Sequence, residues 1–522
     1  MSASETGVGE DAGAGADAAA RAALLSQRQA ADPEASVWVA ANAGAGKTRV
    51  LVDRVLRLLL AGTRPEAVLC LTFTKAAAAE MANRLYRELG AWAIADDGGL
   101  SQRLRALSGR EPEASSLPAA RQLFARLLDV PGGLRIQTIH AFCQSLLARF
   151  PLEAGIAPHF QVMDERSAAE LLAAAEAKVL AAAAKGRNAP LAAALDHLVG
   201  LVDESAFSAL MRELAAARGR LQALLRAHGG EVERVIAATA AALGLQSGED
   251  EARILAAGIA DGAFDRPGLA RAATVLAEGG KTDQKNADAI AAFLAAGDDR
   301  PALFVKYYRP VFLTQTDEPK AERSLASKAS QAGDGGLLDI LQREQSRLVA
   351  LDQRLKAARV LAATTALWRL GAALLESYRR AKNAAALLDY DDLILGTRDL
   401  LTRTDAAPWV LYKLDGGIDH ILVDEAQDTA PEQWEVIAAL AAEFFAGAGA
   451  VGKRRTLFAV GDEKQSIYSF QGADPAEFAR MRTHFAARVQ AAGETFRGVE
   501  LALSFRSTTA VLAAVDAVFA EG

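Results

Sequence analysis

Short β-branched and aliphatic runs alternate with amphipathic stretches near the start of the chain and again near its end. Val37, Trp38 and Val39 run into a glycine-rich turn, Val68 to Leu71 form a second run, and Leu134 to Ile139 a third. Near-continuous apolar strands separated by helical stretches predict a parallel sheet covered on both faces. Between about Glu165 and Asn383 strand signals nearly vanish, and alanine, leucine and charge recur at helical spacing, as in LMRELAAARGRLQALLRAH. This segment reads as a helical insertion, with loops at Glu278 to Asp288 and Leu313 to Gly335 and one or two long helices from Leu337 to Lys382. Strand signals return at His420 to Val423 and Thr456 to Val460, so the sheet is completed after the insertion. A further run, Val499 to Leu503, is expected to open something new. The pattern divides the chain into a disordered tail (1–21), a core domain in two parts (22–164 and 385–494), the inserted helical segment (165–384) and the beginning of a second domain (495–522).

Composition narrows the class. The 522 residues are 51% hydrophobic, 24% charged and 6% aromatic, an ordinary globular balance that excludes collagen-like and wholly disordered chains. Two cysteines, Cys70 and Cys143, lie in apolar runs and build neither a disulfide framework nor a zinc cluster, which suits a reducing, cytoplasmic setting. Arg369 and Glu443 interrupt the longest apolar candidates for a membrane span, and no membrane association is expected. The formal net charge of −7 argues against holding nucleic acid by bulk charge, though not against a local basic groove.

The strongest local signal is AANAGAGKT, Ala40 to Thr48, between the strand SVWVA and the amphipathic run TRVLVDRVLRLLL. A bound phosphate needs backbone N–H donors curled around it, a helix N-terminus behind them, a lysine on the outer phosphates and a hydroxyl for magnesium. Ala41, Asn42, Ala43, Gly44, Ala45 and Gly46 supply the loop, with Ala41 at the position usually held by glycine. Lys47 and Thr48 supply the other two groups, and Arg49 follows. A second Gly-Lys-Thr, Gly280 to Thr282, has no strand before it and is set aside.

HILVDEAQDT places Asp424 and Glu425 at the end of an apolar strand, where a parallel sheet presents its chemistry. Nucleotide hydrolysis needs one carboxylate on the metal and another to orient or deprotonate water. Asp424 suits the first task, together with Thr48, and Glu425 the second. Arg506, in LSFRST, is a candidate arginine finger. Phe505 beside it either stacks on a base or belongs to the core.

These motifs, in this order, resemble the RecB-like, UvrD/Rep-type helicases of superfamily 1, and within them the AddA-type helicase-nuclease subunits. The likeness covers about Gln27 to Glu165 and Leu388 to Thr508. It implies an α/β fold, a RecA-like P-loop NTPase core with a parallel sheet interrupted by a large α-helical insertion, followed by the start of a second RecA-like domain. It implies ATP and Mg2+ as cofactors, single-stranded DNA and duplex DNA ends as substrates, 3′ to 5′ tracking in double-strand-break repair, and an AddB-like partner subunit. Gln27, with Gln29 as the less well-spaced alternative, is similar to the adenine-reading glutamine. LTFTKAAAAEM resembles a segment lying against single-stranded DNA, which assigns DNA contacts to Thr72 and Phe73. Lys75 sits one place early there, with Ala76 at the usual lysine position. TIHAF adds Thr138 and His140. DYDDL, Asp389 to Leu393, resembles the segment that re-enters the core. VGDEKQSIYSFQGA implies a γ-phosphate-sensing role for Gln465 and base contacts for Tyr468 and Phe470. LSFRST implies the finger role for Arg506 and adenine stacking for Phe505.

The family's later motifs and a nuclease site are not found, so the chain is expected to be the front part of a longer protein. A non-catalytic nucleotide- and DNA-binding module serving a partner subunit is the alternative reading.

Overall fold

The computed structural model describes residues 21–519 apart from 114, 187, 247, 404, 416, 446–453, 466–473 and 506–507. Contacts divide the chain into two units, Met1–Glu165 with Asn383–Gly522, and Arg166–Lys382. The strands are β1 (Ser36–Ala41), β2 (Val68–Thr72), β3 (Arg135–Thr138), β4 (Gln161–Val162), β5 (Leu387–Leu388), β6 (His420–Val423), β7 (Thr456–Gly461) and β8 (Phe496–Leu501).

In the first unit six strands form a sheet in the order β3-β2-β6-β7-β1-β8, and every adjacent pair is parallel. β2, β6 and β7 are buried along their whole length, which is why their sequences read as unbroken apolar runs. Successive side chains nevertheless alternate between two cores. Val37, Val39, Cys70, Leu422, Phe458 and Val460 enter the core beneath helices α1 (Lys47–Leu60), α2 (Lys75–Ile94), α3 (Asp97–Ser108) and α4 (Ser116–Leu128). Trp38, Leu69, Leu71, Ile421, Val423 and Leu457 enter the opposite core, where Trp38 stacks on Trp434 with ring centroids 5.5 Å apart.

The run assigned by sequence to the start of a second domain instead completes this sheet. β8 lies parallel to β1, with Val39 opposite Val499, and Val499 and Leu501 enter the same core as Val37 and Val39. Periodicity identifies a strand without identifying its neighbour, and here the neighbour is the strand that leads into the phosphate loop.

Arg54, on α1, is wholly buried and ties this half of the sheet together. Its guanidinium donates to the carbonyls of Ala30, Asp32 and Ala35 and to Thr456 Oγ1 at 2.9 Å, and it lies 5.1 Å from the Phe458 ring centroid.

The second unit is helical. Its last helix, Leu337–Ala384, is continuous over 48 residues, and Leu341, Leu348 and Leu355 are buried in that unit's core. By length and composition it is the one helix among the described residues that could cross a membrane. Most of the polar stretch Glu278 to Asp288, expected as a loop, belongs to helix Lys281–Ala295. Its polar residues face inward: Asp283 accepts from Ser327 N at 3.0 Å and Ser330 Oγ at 2.8 Å, and Asn286 donates to the carbonyls of Ser324 and Leu325. Buried polar side chains that satisfy a neighbouring irregular segment have the composition of a loop. That segment, Leu313 to Gly335, itself carries the short helices Glu322–Leu325 and Lys328–Gly333.

Candidate active site

β1 ends at Ala41 and α1 begins at Lys47, so five residues turn the chain from strand to helix. Gly44 (φ 75°) and Gly46 (φ 90°) take left-handed conformations that side chains disfavour. Gly46 is required twice over, because a Cβ there would stand 2.9 Å from Gln27 Nε2. Gln27 is buried and its amide donates to Ala45 O at 3.1 Å, bracing the loop from behind. Further backbone bonds run from Ala45 N to Asn42 O, from Asn42 N to Leu501 O, and from Phe505 N to Gly44 O at 3.0 Å. Gly46, as the helix cap, brings no side chain to the first-turn amides, which keep their hydrogen-bonding capacity for an anion.

Above the loop lies a cleft of about 320 Å3. It brings together Ala43, Gly44, Gly46, Lys47, Thr48, Arg49, Glu425, Gln465 and Phe505 from separate stretches of sequence, and adds Arg84 of α2. Ala41 and Ala45 are buried. Gln465 sits in the short turn Glu463–Gln465 that follows β7, and Phe505 is exposed beside the loop.

Asp424 and Glu425 follow β6 directly. Asp424 is buried, and its N–H bonds to Leu71 O at 2.9 Å, continuing the pairing with β2. Glu425 is one of the few residues other than glycine with positive φ (48°). That uncommon conformation coincides with its contact: the Lys47 ammonium donates to Glu425 Oε2 at 2.6 Å. Gln427 donates to the same oxygen at 2.8 Å and to Asp428 Oδ2 at 3.0 Å, while its Oε1 accepts from Asp462 N at 2.9 Å.

Burial, and secondarily the Glu425 charge, push the Asp424 carboxyl up to about 6, against the pull of the Glu425 N–H and Lys47. Asp424 has no ion-pair partner among the described residues, so a buried oxygen donor lacks a nearby cation. With the Thr48 hydroxyl it offers hard oxygen ligands of the kind Mg2+ takes. No cluster of three or more His, Cys, Asp or Glu side chains that could hold a metal occurs among the described residues. A magnesium ion there would complete its shell from phosphate oxygens and water, its usual habit.

The residues assigned to DNA lie beyond the other half of the sheet. Thr72 and Thr138 are register partners at the ends of β2 and β3. Both hydroxyls are locally engaged: Thr72 Oγ1 donates to Thr74 O at 3.0 Å, and Thr138 Oγ1 accepts from Ala141 N at 3.2 Å, capping helix Ile139–Arg149. Phe73 is half-buried. The His140 ring meets Tyr390 edge-on at 5.6 Å, and burial lowers its pKa, which keeps it neutral at physiological pH. Tyr468, Phe470 and Arg506 lie outside the described residues. Sequence reasoning did not single out Gln427 or Arg84. Gln427 stood inside the acidic motif, whereas Arg84 carried no signal beyond its place on a charged helix.

Comparison with known proteins agrees with this architecture. The UvrD/REP helicase N-terminal domain matches residues 25–486. The chain is 28% identical to the AddA-type subunit of the ATP-dependent helicase/nuclease of Pelotomaculum thermopropionicum, over 93% of this chain and 37% of that protein. It is 29% identical to the protein of the same name from Desulforudis audaxviator, over 93% of this chain and 38% of that one. The corresponding protein of Lactobacillus helveticus is 25% identical over 92% of this chain and 39% of its own length. The chain thus spans less than half the length of these relatives. Since the match runs from the helix carrying Gln27 through both strand-end motifs of the cleft, the chain belongs to the UvrD/REP helicase family.

Proposed function

We propose that the chain forms the nucleotide-hydrolysing part of an ATP-dependent DNA motor that tracks 3′ to 5′ along single-stranded DNA and unwinds duplex ends in double-strand-break repair. The observation that carries this reading is the 2.6 Å pair between Lys47 and Glu425 at the mouth of a glycine-turned phosphate loop, in a chain of the UvrD/REP family. The relatives are named as one subunit of a helicase/nuclease, which supports work on DNA ends with a second, AddB-like subunit. Two free, buried cysteines fit a reducing, cytoplasmic setting.

In this reading the loop amides and Lys47 hold the outer phosphates of ATP, and Thr48 and Asp424 hold Mg2+, which offsets phosphate charge when bound. Lys47 leaves Glu425 for the phosphates, and the freed carboxylate orients and deprotonates water. Gln465 senses the terminal phosphate, and Arg506 stabilises charge on the transferred group. Phe505 and Arg49 flank the adenine, with Gln27 beneath. Thr72, Phe73, Thr138, His140, Tyr468 and Phe470 form the DNA track, where stacking on aromatic rings is indifferent to sequence.

The test compares ATP hydrolysis by the wild type and Lys47→Ala, with and without single-stranded DNA. Loss of DNA-stimulated turnover by at least about a hundredfold is expected from removing the phosphate's cation. Substantial DNA-stimulated turnover in Lys47→Ala would sink the assignment.

A further inference from the structure

A second cavity, of about 340 Å3, opens between α1, α2 and α3. It meets the cleft already described at two residues that line both, Arg49 and Arg84. Helical spacing builds its walls: Arg49, Asp53 and Leu56 share one face of α1, and Arg84, Arg87 and Glu88 one face of α2, while Arg103 closes it from α3. Its floor is apolar, formed by Val52, Leu56, Trp92 and Leu107. Four guanidinium groups therefore face two carboxylates across an open hollow.

The internal pairing is loose. Arg49 lies 3.7 Å from Asp53 and Arg103 lies 3.5 Å from Glu88, both well beyond the roughly 2.7–2.9 Å of a charge-assisted hydrogen bond. Arg87 is exposed and has no ion-pair partner among the described residues. Arg84 is drawn instead toward Glu80, outside the cavity lining. Burial pushes the Asp53 carboxyl up to about 6, opposed by Arg49 and aided by Glu88, so the cavity's own acid is held less firmly in its charged form than an exposed one. Planar guanidiniums converging on a concave site match oxyanions in a bidentate way.

We propose that this cavity is a second anion site, distinct from the phosphate loop, that takes a phosphate-class oxyanion between Arg87, Arg103 and the shared pair Arg49 and Arg84. Sharing Arg49 and Arg84 makes its occupancy felt in the neighbouring cleft. Only that coupling rests on reading the cleft as a nucleotide site, since the anion site stands on its own lining. The oxyanion has two sources, free phosphate or pyrophosphate and the backbone of a nucleic acid.

Pyrophosphate binding to the full 522-residue chain, followed by titration calorimetry, tests the site directly. Lys47→Ala disables the phosphate loop and should leave one pyrophosphate site. Arg87→Ala with Arg103→Ala, both solvent-facing changes, should weaken that remaining site at least about tenfold, the loss expected from removing charged hydrogen bonds. Unliganded melting curves serve as the folding control. Complete loss of binding in Lys47→Ala, or unchanged binding after the double change in that background, would overturn the proposal. Anisotropy with a short single-stranded oligonucleotide separates the sources. Weaker oligonucleotide binding in Arg87→Ala/Arg103→Ala assigns the site to backbone phosphate, and unchanged oligonucleotide binding with pyrophosphate binding lost assigns it to free phosphate. Failure of the proposed motor activity would leave the pyrophosphate result standing.

Discussion

Glu425 and Gln427 are joined by a 2.8 Å hydrogen bond to the same carboxylate oxygen that Lys47 holds, and Gln427 also receives the backbone N–H of Asp462 at 2.9 Å. One buried amide thus links the acid at the end of β6 to the turn after β7 that carries Gln465. Gly461 has no side chain for the same reason, since a Cβ there would meet Gln427 Oε1 at 2.7 Å. A change at Glu425, such as loss of the Lys47 contact, reaches the Asp462 turn through a single residue.

Gln427→Ala is therefore expected to lower the maximal rate of DNA-stimulated ATP hydrolysis far more than it raises the KM for ATP. It leaves the buried Asp462 N–H without an acceptor, which costs about 1–3 kcal/mol of stability. Steady-state kinetics with a parallel urea titration check both parts. A KM effect with an unchanged maximal rate would reject the relay.

Gly46→Ala should behave as a loop mutation with a structural cost. A φ of 90° is unfavourable for alanine, and its methyl would displace the Gln27 amide from Ala45. Strain of this kind costs about 1–3 kcal/mol. A lowered melting temperature together with loss of fluorescent ATP-analogue binding is expected. Wild-type melting and binding in the variant would show that the loop does not depend on this conformation.

Much of this site was legible because its chemistry is local in sequence. The strand, glycine turn, lysine and helix around Lys47 follow one another without a break, and Asp424 and Glu425 follow directly on an apolar strand. What could not be read was non-local. The pairing of β8 with β1, the Gln427 bridge to Asp462 and the Arg54 anchor each join residues far apart in the chain, and none leaves a periodic trace. The polar face of helix Lys281–Ala295 misled for the converse reason, because its Asp283 and Asn286 are buried by partners much further along the chain, Ser327 and Leu325.

The Asp424 carboxyl makes stability fall as pH rises. Its pKa is raised in the folded protein from the ordinary 3.8 to about 6, so between those values the folded state binds more protons than the unfolded chain. The penalty for the buried charge grows through that window and is complete above it, reaching about 3 kcal/mol at roughly 1.36 kcal/mol per pKa unit. Asp424→Asn removes it. The variant is expected to be more stable than the wild type at neutral pH without magnesium, with the difference vanishing as pH falls to the ordinary carboxylate range, and to be inactive in hydrolysis. Urea midpoints for both proteins across that range decide the matter; a pH-independent difference would remove Asp424 as its source.

Arg54 gives the sharpest stability prediction, because its partners are mostly backbone carbonyls. The guanidinium reaches Ala30, Asp32 and Ala35 before β1 and Thr456 at the start of β7, where the Thr456 hydroxyl also lies 2.8 Å from His420 Nδ1. Burial lowers its pKa to about 9, still above neutrality, so the group remains a charged donor. Arg54→Leu fills similar space but leaves buried carbonyls without donors, and a loss of at least about 3 kcal/mol is expected. Arg54→Lys keeps the charge yet lacks the planar fork that spans several acceptors, so it should recover only part of that loss. Denaturant titration of the two variants checks the order. Full recovery in Arg54→Lys would mean that charge alone, rather than the shape of the guanidinium, holds the entry to β1 in place.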